Sequence, residues 1–327
     1  NLIIGHPKAV EDTVLKLKEN NLILKVEDNL RDYLSCEIML SKDRKRAWLG
    51  QPHLIANLEK KFSEELQSLT KYLTPGTPGL NQVRITNEEL MLPVASQQRY
   101  RSGVGMLLNL VKHSRPDIAN GVRELSKALV GPSEAAYKDM LRMVKFVLET
   151  KNLVIKLMPV IEDLDKLIWD AVAYSDSDYA GDKESRLSVA GFVLYLMGVP
   201  ISWRSKGMKV VAQSSTEAEY IALSETAKEV KFVYQVLVSL GIKVKLPIIV
   251  RVDNLGAIFM SENISVSQRT KHVDVRFRFV QQFTMEGFIK VIFVKTDEND
   301  ADLFTKNLSG EKYKKHADKL IIKEGTM

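Results

Sequence analysis

An apolar run that ends on carboxylates is the feature that most restricts what this chain can fold into. Leu167-Ile-Trp-Asp-Ala-Val-Ala-Tyr174 leads straight into Ser175-Asp176-Ser-Asp178-Tyr-Ala-Gly181-Asp182. The run is short, rich in β-formers and closed by small and polar residues, so it reads as a buried strand. Carboxylates at the end of a buried strand are costly unless a metal ion, a Lys or Arg, or water compensates them. Taken alone, the stretch reads as solvated loop acids. Three later acids stand where they can converge with Asp176, and they change that reading.

At 327 residues the chain suits two domains of ordinary size. Hydrophobic content of 45% with 27% charged residues is enough to bury real cores. The net charge is +6, and it is evenly spread: residues 166–327 carry 23 Lys/Arg against 20 Asp/Glu, leaving 24 against 21 before them. There is no basic tail, only a general bias compatible with a polyanionic partner. Cys36 is the sole cysteine, which excludes an intrachain disulfide and a Cys/His zinc cluster and suits a reducing, intracellular compartment. No apolar run approaches the roughly 18–20 residues of a membrane span, and no signal peptide is visible. The chain opens on Asn1 and a strand-like Leu-Ile-Ile, as an excerpt from a longer polypeptide would.

In chain order, the pattern predicts a strand at 1–5, a helix over 7–20, and strands at 22–26, 34–40 and 47–50. A helix over 52–62 follows, with Pro52 in its first turn. Pro75-Gly76 and Pro78-Gly79 mark a loop or linker. Helices are expected at about 97–112, 116–129 and 132–149, punctuated by Arg115-Pro116 and Gly131-Pro132. Short strands and the acidic turn 162–165 then lead to a domain boundary near 160–166. Beyond it the predicted order is strand, strand (188–197), strand (200–204), a long helix (216–240), strand (248–253), helix (254–261), helix (270–285), strand (288–294) and a last helix from about Asp300. Three strands followed by alternating helices and strands imply a mixed sheet with helices on both faces.

The second acid lies in Ser214-Ser-Thr-Glu217-Ala-Glu219, at the start of the long helix. Ser215 or Thr216 is a natural N-cap, and acids are common there for dipole reasons. Glu217 and Glu219 differ by roughly 200° around a helix, so they cannot face the same site. Glu219 shares the apolar face with Leu223, Val230 and Val233, which must lie on the sheet. Asp253, the third acid, ends the apolar strand 248–253, where ligands gather in α/β sheets but where an Asp can also cap a helix. Asp302 is the fourth, and helix capping again competes. Singly each acid has an ordinary explanation. Together Asp176, Glu219, Asp253 and Asp302 form a hard oxygen-ligand set suited to Mg²⁺ or Mn²⁺ rather than zinc. Four such carboxylates can hold two ions about 3.5–4 Å apart, an arrangement that serves phosphodiester hydrolysis.

Several stretches carry a family resemblance: Tyr174–Asp182, Ser214–Leu223, Val252-Asp-Asn254, Arg269-Thr-Lys-His-Val-Asp-Val-Arg276 and Ala301-Asp-Leu-Phe-Thr-Lys306. In this order they resemble the ribonuclease H region of copia-type retrotransposon Pol polyproteins, over about 167–310. Tyr100-Arg-Ser-Gly-Val-Gly and Ser114-Arg-Pro-Asp-Ile-Ala119 resemble the segment between polymerase and nuclease, and residues 1–62 the end of the reverse transcriptase palm. The resemblance implies an α/β, RNase H-like mixed five-stranded sheet with helices on both faces, preceded by an α+β and helical reverse-transcriptase remnant. It divides the chain into a palm-derived part (1–72), a linker (73–82), a helical connection (83–165) and the RNase H-like domain (166–327). It implies hydrolysis of the RNA strand of RNA–DNA hybrids, with Asp176, Glu219, Asp253 and Asp302 as catalytic residues and as ligands of two Mg²⁺ or Mn²⁺ ions. The implied partners are the hybrid and the rest of the Pol protein, with no membrane, in a cytoplasmic particle or the nucleus. Leu2-Ile-Ile-Gly5 would follow the polymerase's Tyr-x-Asp-Asp motif, so no polymerase activity is expected. His272 lies in a family motif but receives no role. Tyr179 stands where the family usually has Trp, and Val189-Ala190 where it usually has Thr-Ser. The competing reading is a nuclease-inactive relic that only binds nucleic acid or a partner. An integrase or transposase needs its Glu last, on a late helix, and here the Glu comes second.

Overall fold

The computed structural model describes residues 7–23, 32–33, 35–42, 46–83, 85–158, 168–262 and 271–324. The expected strand at 1–5, most of that at 22–26 and the acidic turn 162–165 lie outside these residues; Leu22 and Ile23 are in no strand. In chain order the elements of the first half are α1 (Pro7–Glu19), β1 (Asp32–Tyr33), β2 (Cys36–Leu40), β3 (Ala47–Gly50), α2 (Pro52–Leu66), α3 (Val94–His113), α4 (Ala119–Lys127), α5 (Glu134–Glu149) and β4 (Leu153–Leu157). Those of the second half are β5 (Ala171–Asp178), β6 (Val189–Leu196), β7 (Val199–Gly207), α6 (Ser215–Ser239), β8 (Ile248–Val252), α7 (Leu255–Glu262), α8 (Lys271–Met285), β9 (Ile289–Phe293), α9 (Gly310–Leu320) and β10 (Ile321–Lys323).

The helices of the first half form where apolar spacing and stop signals agree. α2 starts on Pro52 and buries Ile55, Leu58, Phe62 and Leu66, spaced to share one face. Ser133 caps α5 by accepting the Ala136 N–H at 3.1 Å. The expected helix over 116–129 divides instead: Pro116–Ile118 is a 3₁₀ turn and α4 ends at Lys127. These helices enclose one core with Tyr100, Leu107, Val122 and Met140 at its centre.

Among the described residues there are two five-stranded sheets. The first, in the order β1-β2-β3-β4-β10, is antiparallel throughout. Its last strand comes from the far end of the chain: Ile321 lies opposite Ile155 and Lys323 opposite Leu153. Leu303, Phe304, Tyr313 and Leu320 enter the same core as α2–α5, so the C-terminal elements pack on the first half. Pairing across 166 to 170 residues leaves no local mark, which is why β10 was not expected from the sequence.

The second sheet has the order β7-β6-β5-β8-β9, with β7, β6 and β5 antiparallel and β5, β8 and β9 parallel. This is the expected RNase H-like mixed sheet. Residues alternate between its faces. Ala171, Ala173, Leu194 and Val250 meet α6, α7 and α8. Tyr174, Val193 and Tyr195 look the other way, towards the core that holds Phe304 and α3–α5.

Two differences from expectation bear on the site. β5 runs from Ala171 to Asp178, not 167–174, because β6 pairs along all of it, from Ala171 opposite Leu196 to Asp178 opposite Val189. Trp169 makes only an isolated bridge to Val244. The expected last helix is two pieces: a 3₁₀ helix (Asp300–Phe304), then α9 from Gly310. Among the described residues, no helix is long and apolar enough to cross a membrane.

Candidate active site

β5 and β8 run in parallel register up to the pair Tyr174–Arg251. Asp176 and Asp253 each lie two residues further on, so the acids continue the register just where the strands part. Asp176 is 1% exposed and lies within β5 rather than at its end. Glu219, on the first turns of α6, is 6% exposed. One carboxylate oxygen from each of Asp176, Glu219 and Asp253 lies within 4.8 Å of the others, a grouping that could hold a metal ion.

Capping, the ordinary explanation for each acid, falls to a neighbour instead. Ser214, and neither Ser215 nor Thr216, caps α6 by accepting the Glu217 N–H at 3.1 Å. Asn254 accepts the Ala257 N–H at 3.0 Å at the start of α7. Asn299 accepts the Ala301 N–H at 3.2 Å at the start of the 3₁₀ helix. Glu217 serves its own helix start by accepting the Gln213 N–H at 2.7 Å, and it is half-buried rather than fully solvated. Glu219 is left facing the sheet.

Each acid of the group is held differently. Ser177 donates its backbone N–H at 3.1 Å and its hydroxyl at 2.9 Å to Glu219 Oε1. Glu219 Oε2 is buried with no hydrogen-bond partner. Asp176 points to the opposite face of β5 from Ser177, and its Oδ2 accepts the hydroxyl of Thr305. Lys306 Nζ stands 2.9 Å from Asp302 Oδ1 and 3.7 Å from Asp176 Oδ2. Asp302 is therefore not brought into the group of three; Lys306 lies between it and Asp176. The side chain of His272 lies outside the described residues.

The electrostatics follow from burial. Desolvation raises the Asp176 carboxyl well above the usual range; Lys306 opposes this, and the charges of Glu219 and Asp302 add to it. Burial, then the charge of Asp253, pushes Glu219 up to about 8 against the hydrogen bonds from Ser177. Burial alone would lower Lys306, but the charges of Asp176 and Asp302 outweigh it and hold the ammonium above the ordinary lysine range. Among the described residues, Lys306 is paired with Asp176 and Asp302 but not with Glu219 or Asp253, which leaves a deficit of positive charge beside the spare oxygen of Glu219. A divalent cation fits that deficit, and the all-oxygen donor set suits Mg²⁺ or Mn²⁺.

Thr305, Lys306 and Ser177 were not singled out from the sequence. Thr305 and Lys306 lie in the quoted motif Ala301–Lys306, and Ser177 sits between the two Asp residues, so the signal was position within motifs rather than residue type.

Among curated proteins, the chain is 34% identical over 223 residues to the retrovirus-related Pol polyprotein from transposon RE1 of Arabidopsis thaliana, covering 68% of this chain and 15% of that protein. It is 29% identical over 324 residues to the Pol polyprotein from transposon TNT 1-94 of Nicotiana tabacum, covering 93% of this chain and 23% of that one. The chain belongs to the Pol polyproteins of copia-type transposons. It spans less than a quarter of the length of these relatives. No family model matches it. Among solved structures, LC11-RNase H1 in complex with RNA/DNA hybrid is 15% identical and covers 42% of this Pol segment and 94% of its own chain, with a TM-score of 0.33.

Proposed function

We propose that this Pol segment is a metal-dependent endoribonuclease that hydrolyses the RNA strand of RNA–DNA hybrids. The observation that carries the reading is the convergence of Asp176, Glu219 and Asp253 where β5 and β8 part. These three carboxylates are the proposed ligands, with Asp302, paired with Lys306, as the fourth. When bound, two Mg²⁺ or Mn²⁺ ions would activate a water and stabilise the leaving oxygen of the phosphodiester.

The protein's own groups prepare the site. Ser177 fixes the rotamer of Glu219 through Oε1 and leaves Oε2 for a ligand. Thr305 orients Asp176 from the opposite side of the sheet. Lys306 limits the repulsion between Asp176 and Asp302. The proposed partners are the hybrid duplex, held largely through phosphates and so more weakly as salt rises, and the remainder of the Pol protein.

Incubation of the chain with an RNA–DNA hybrid labelled on the RNA tests this directly. Cleavage of the RNA strand in Mg²⁺ or Mn²⁺, lost in chelator and lost in Asp176→Asn, is the expected result. Cleavage that survives chelation, or that Asp176→Asn leaves intact, would refute it.

A further inference from the structure

One helix outside the nuclease sheet holds three separate parts of it. α4 belongs to the helical region, where Val122 and Leu125 bury its apolar side. Its Asn120, Arg123 and Lys127 are spaced i, i+3 and i+7 and so share a face. Asn120 Nδ2 donates to Asn307 Oδ1 at 3.2 Å, next to Lys306. Arg123 Nε donates to Ser205 Oγ of β7 at 3.1 Å. Lys127 Nζ reaches Asp182 Oδ2 at 2.7 Å, in the loop that leaves β5 after Asp178.

The face is itself braced. Arg123 also donates to Asn120 Oδ1 at 2.8 Å and to Glu124 Oε1 at 2.6 Å. Lys127 is shared with Glu124 at 2.9 Å and with Asn81 at 3.1 Å. Asp182 organises its own loop, since its Oδ1 accepts the N–H and hydroxyl of Ser185, both at 2.8 Å. Lys127 thus ties an organised loop, not a loose side chain. The two fastened loops flank the acids: one follows directly on Asp176 and Asp178, and the other carries Asp302, Thr305 and Lys306.

We propose that the polar face of α4 positions the nuclease site, with Lys127 and Asn120 as positioning residues that fix the loops on either side of Asp176. The helical connection is then a working part of the nuclease and not only a spacer. This rests on the nuclease reading for its kinetic consequence but not for its structural one.

The test uses the full chain with Lys127→Met, Lys127→Arg and Asn120→Ala, read by amide exchange and by hybrid-cleavage kinetics. Lys127→Met is expected to raise exchange over 179–187 by about tenfold while leaving 171–176 unchanged. It should lower kcat by about tenfold or more with KM within about twofold, because small misplacements near the reacting groups are costly. Lys127→Arg, which keeps the charge and the donors, should regain most of both. Unchanged exchange in Lys127→Met overturns the proposal, and so does faster exchange with wild-type kcat. If the wild-type chain cleaves no hybrid, the functional reading fails by itself and exchange alone decides here. Should Lys127→Met not fold, Asn120→Ala decides: faster exchange over 302–308 supports the proposal, and unchanged exchange overturns it.

Discussion

Ser177 gives both of its hydrogen bonds to the same oxygen of Glu219, so Oε1 accepts two and the buried Oε2 accepts none. A carboxylate held on one side and bare on the other is oriented for a ligand. An unsatisfied buried oxygen costs about 1–3 kcal/mol, more when charged, and a cation shared with Asp176 and Asp253 removes that cost.

Glu219→Gln should therefore abolish metal-dependent cleavage, with a loss of about 100-fold or more, and weaken Mn²⁺ binding by calorimetry. It should leave the fold intact and, without metal, make it no less stable at neutral pH, because the amide keeps the shape of a carboxyl that burial already holds mostly protonated. Glu217→Gln should retain most of the cleavage, since that side chain serves the helix start and contributes about 1 kcal/mol or less. Wild-type metal binding in Glu219→Gln would remove the basis of the proposed site.

Stability of the metal-free chain should fall as pH rises. Glu219 is raised from an ordinary value of 4.5 to about 8 in the folded state, and Asp176 is raised as well. The folded state holds these protons where the unfolded state has released them. The stabilisation is complete below the unfolded value and is lost as pH climbs through the folded one. Thermal unfolding in chelator should show Tm dropping between about pH 5 and 9, and Glu219→Gln should flatten that slope. Adding Mg²⁺ should also flatten it, because ligand binding and deprotonation are coupled. A Tm that rises over this window would contradict the buried-acid picture.

The acids were legible from residue type and from their place after apolar strands, and helix phase was enough to separate Glu219 from Glu217. Helix phase was less clean than the pattern suggested. On the side of α6 that carries Glu217, Ile221 and Ser224 are buried too, and the segment that includes Met208 and Ala212 packs on Ile221. The start of β5 was misplaced because apolar character peaks before the strand that pairs. Ser175 and Ser177 look like loop residues in sequence, yet their hydroxyls are paired with Thr226 and Glu219 of α6. What sequence could not show is long-range pairing: Lys306 with Asp176, Lys127 with Asp182, and β10 with β4. Each joins residues whose nearness is set by the finished fold.

The same limit applies to a buried network between the two halves. Arg115 is fully buried and forms two 2.8 Å hydrogen bonds with Asp117, whose Oδ2 also accepts the Tyr313 hydroxyl of α9 at 2.7 Å. Asp117→Ala would take the charge partner from a buried guanidinium, leaving it the hydrogen bonds to Thr150, and should cost about 3–5 kcal/mol. Tyr313→Phe removes one hydrogen bond to a charged group and should cost about 1.5–3 kcal/mol. Urea unfolding measures both. Similar small costs for the two would show that water enters and that the network does not hold α9.

Lys306 provides the last test, because its contribution should depend on the protonation of its partners. Its ammonium lies between Asp302 and Asp176, and with Thr305 it is what faces Asp176 from the 300–306 segment. Lys306→Met keeps much of the stem and removes the charge. At pH 5 Glu219, pushed up to about 8, is largely neutral, and burial shifts Asp176 in the same direction, so less is lost. At pH 8 to 9 the acids ionise further, and without the lysine they repel one another in a poorly solvated site. The cost should thus grow with pH, reaching about 1–3 kcal/mol in urea unfolding of the metal-free protein, below that of a fully buried pair because the lysine is partly solvent-screened. Saturating Mn²⁺ should recover part of the loss, since the ion supplies positive charge to the same acids. A cost equal at both pH values would show that the lysine stem packs but its charge does not balance the acids.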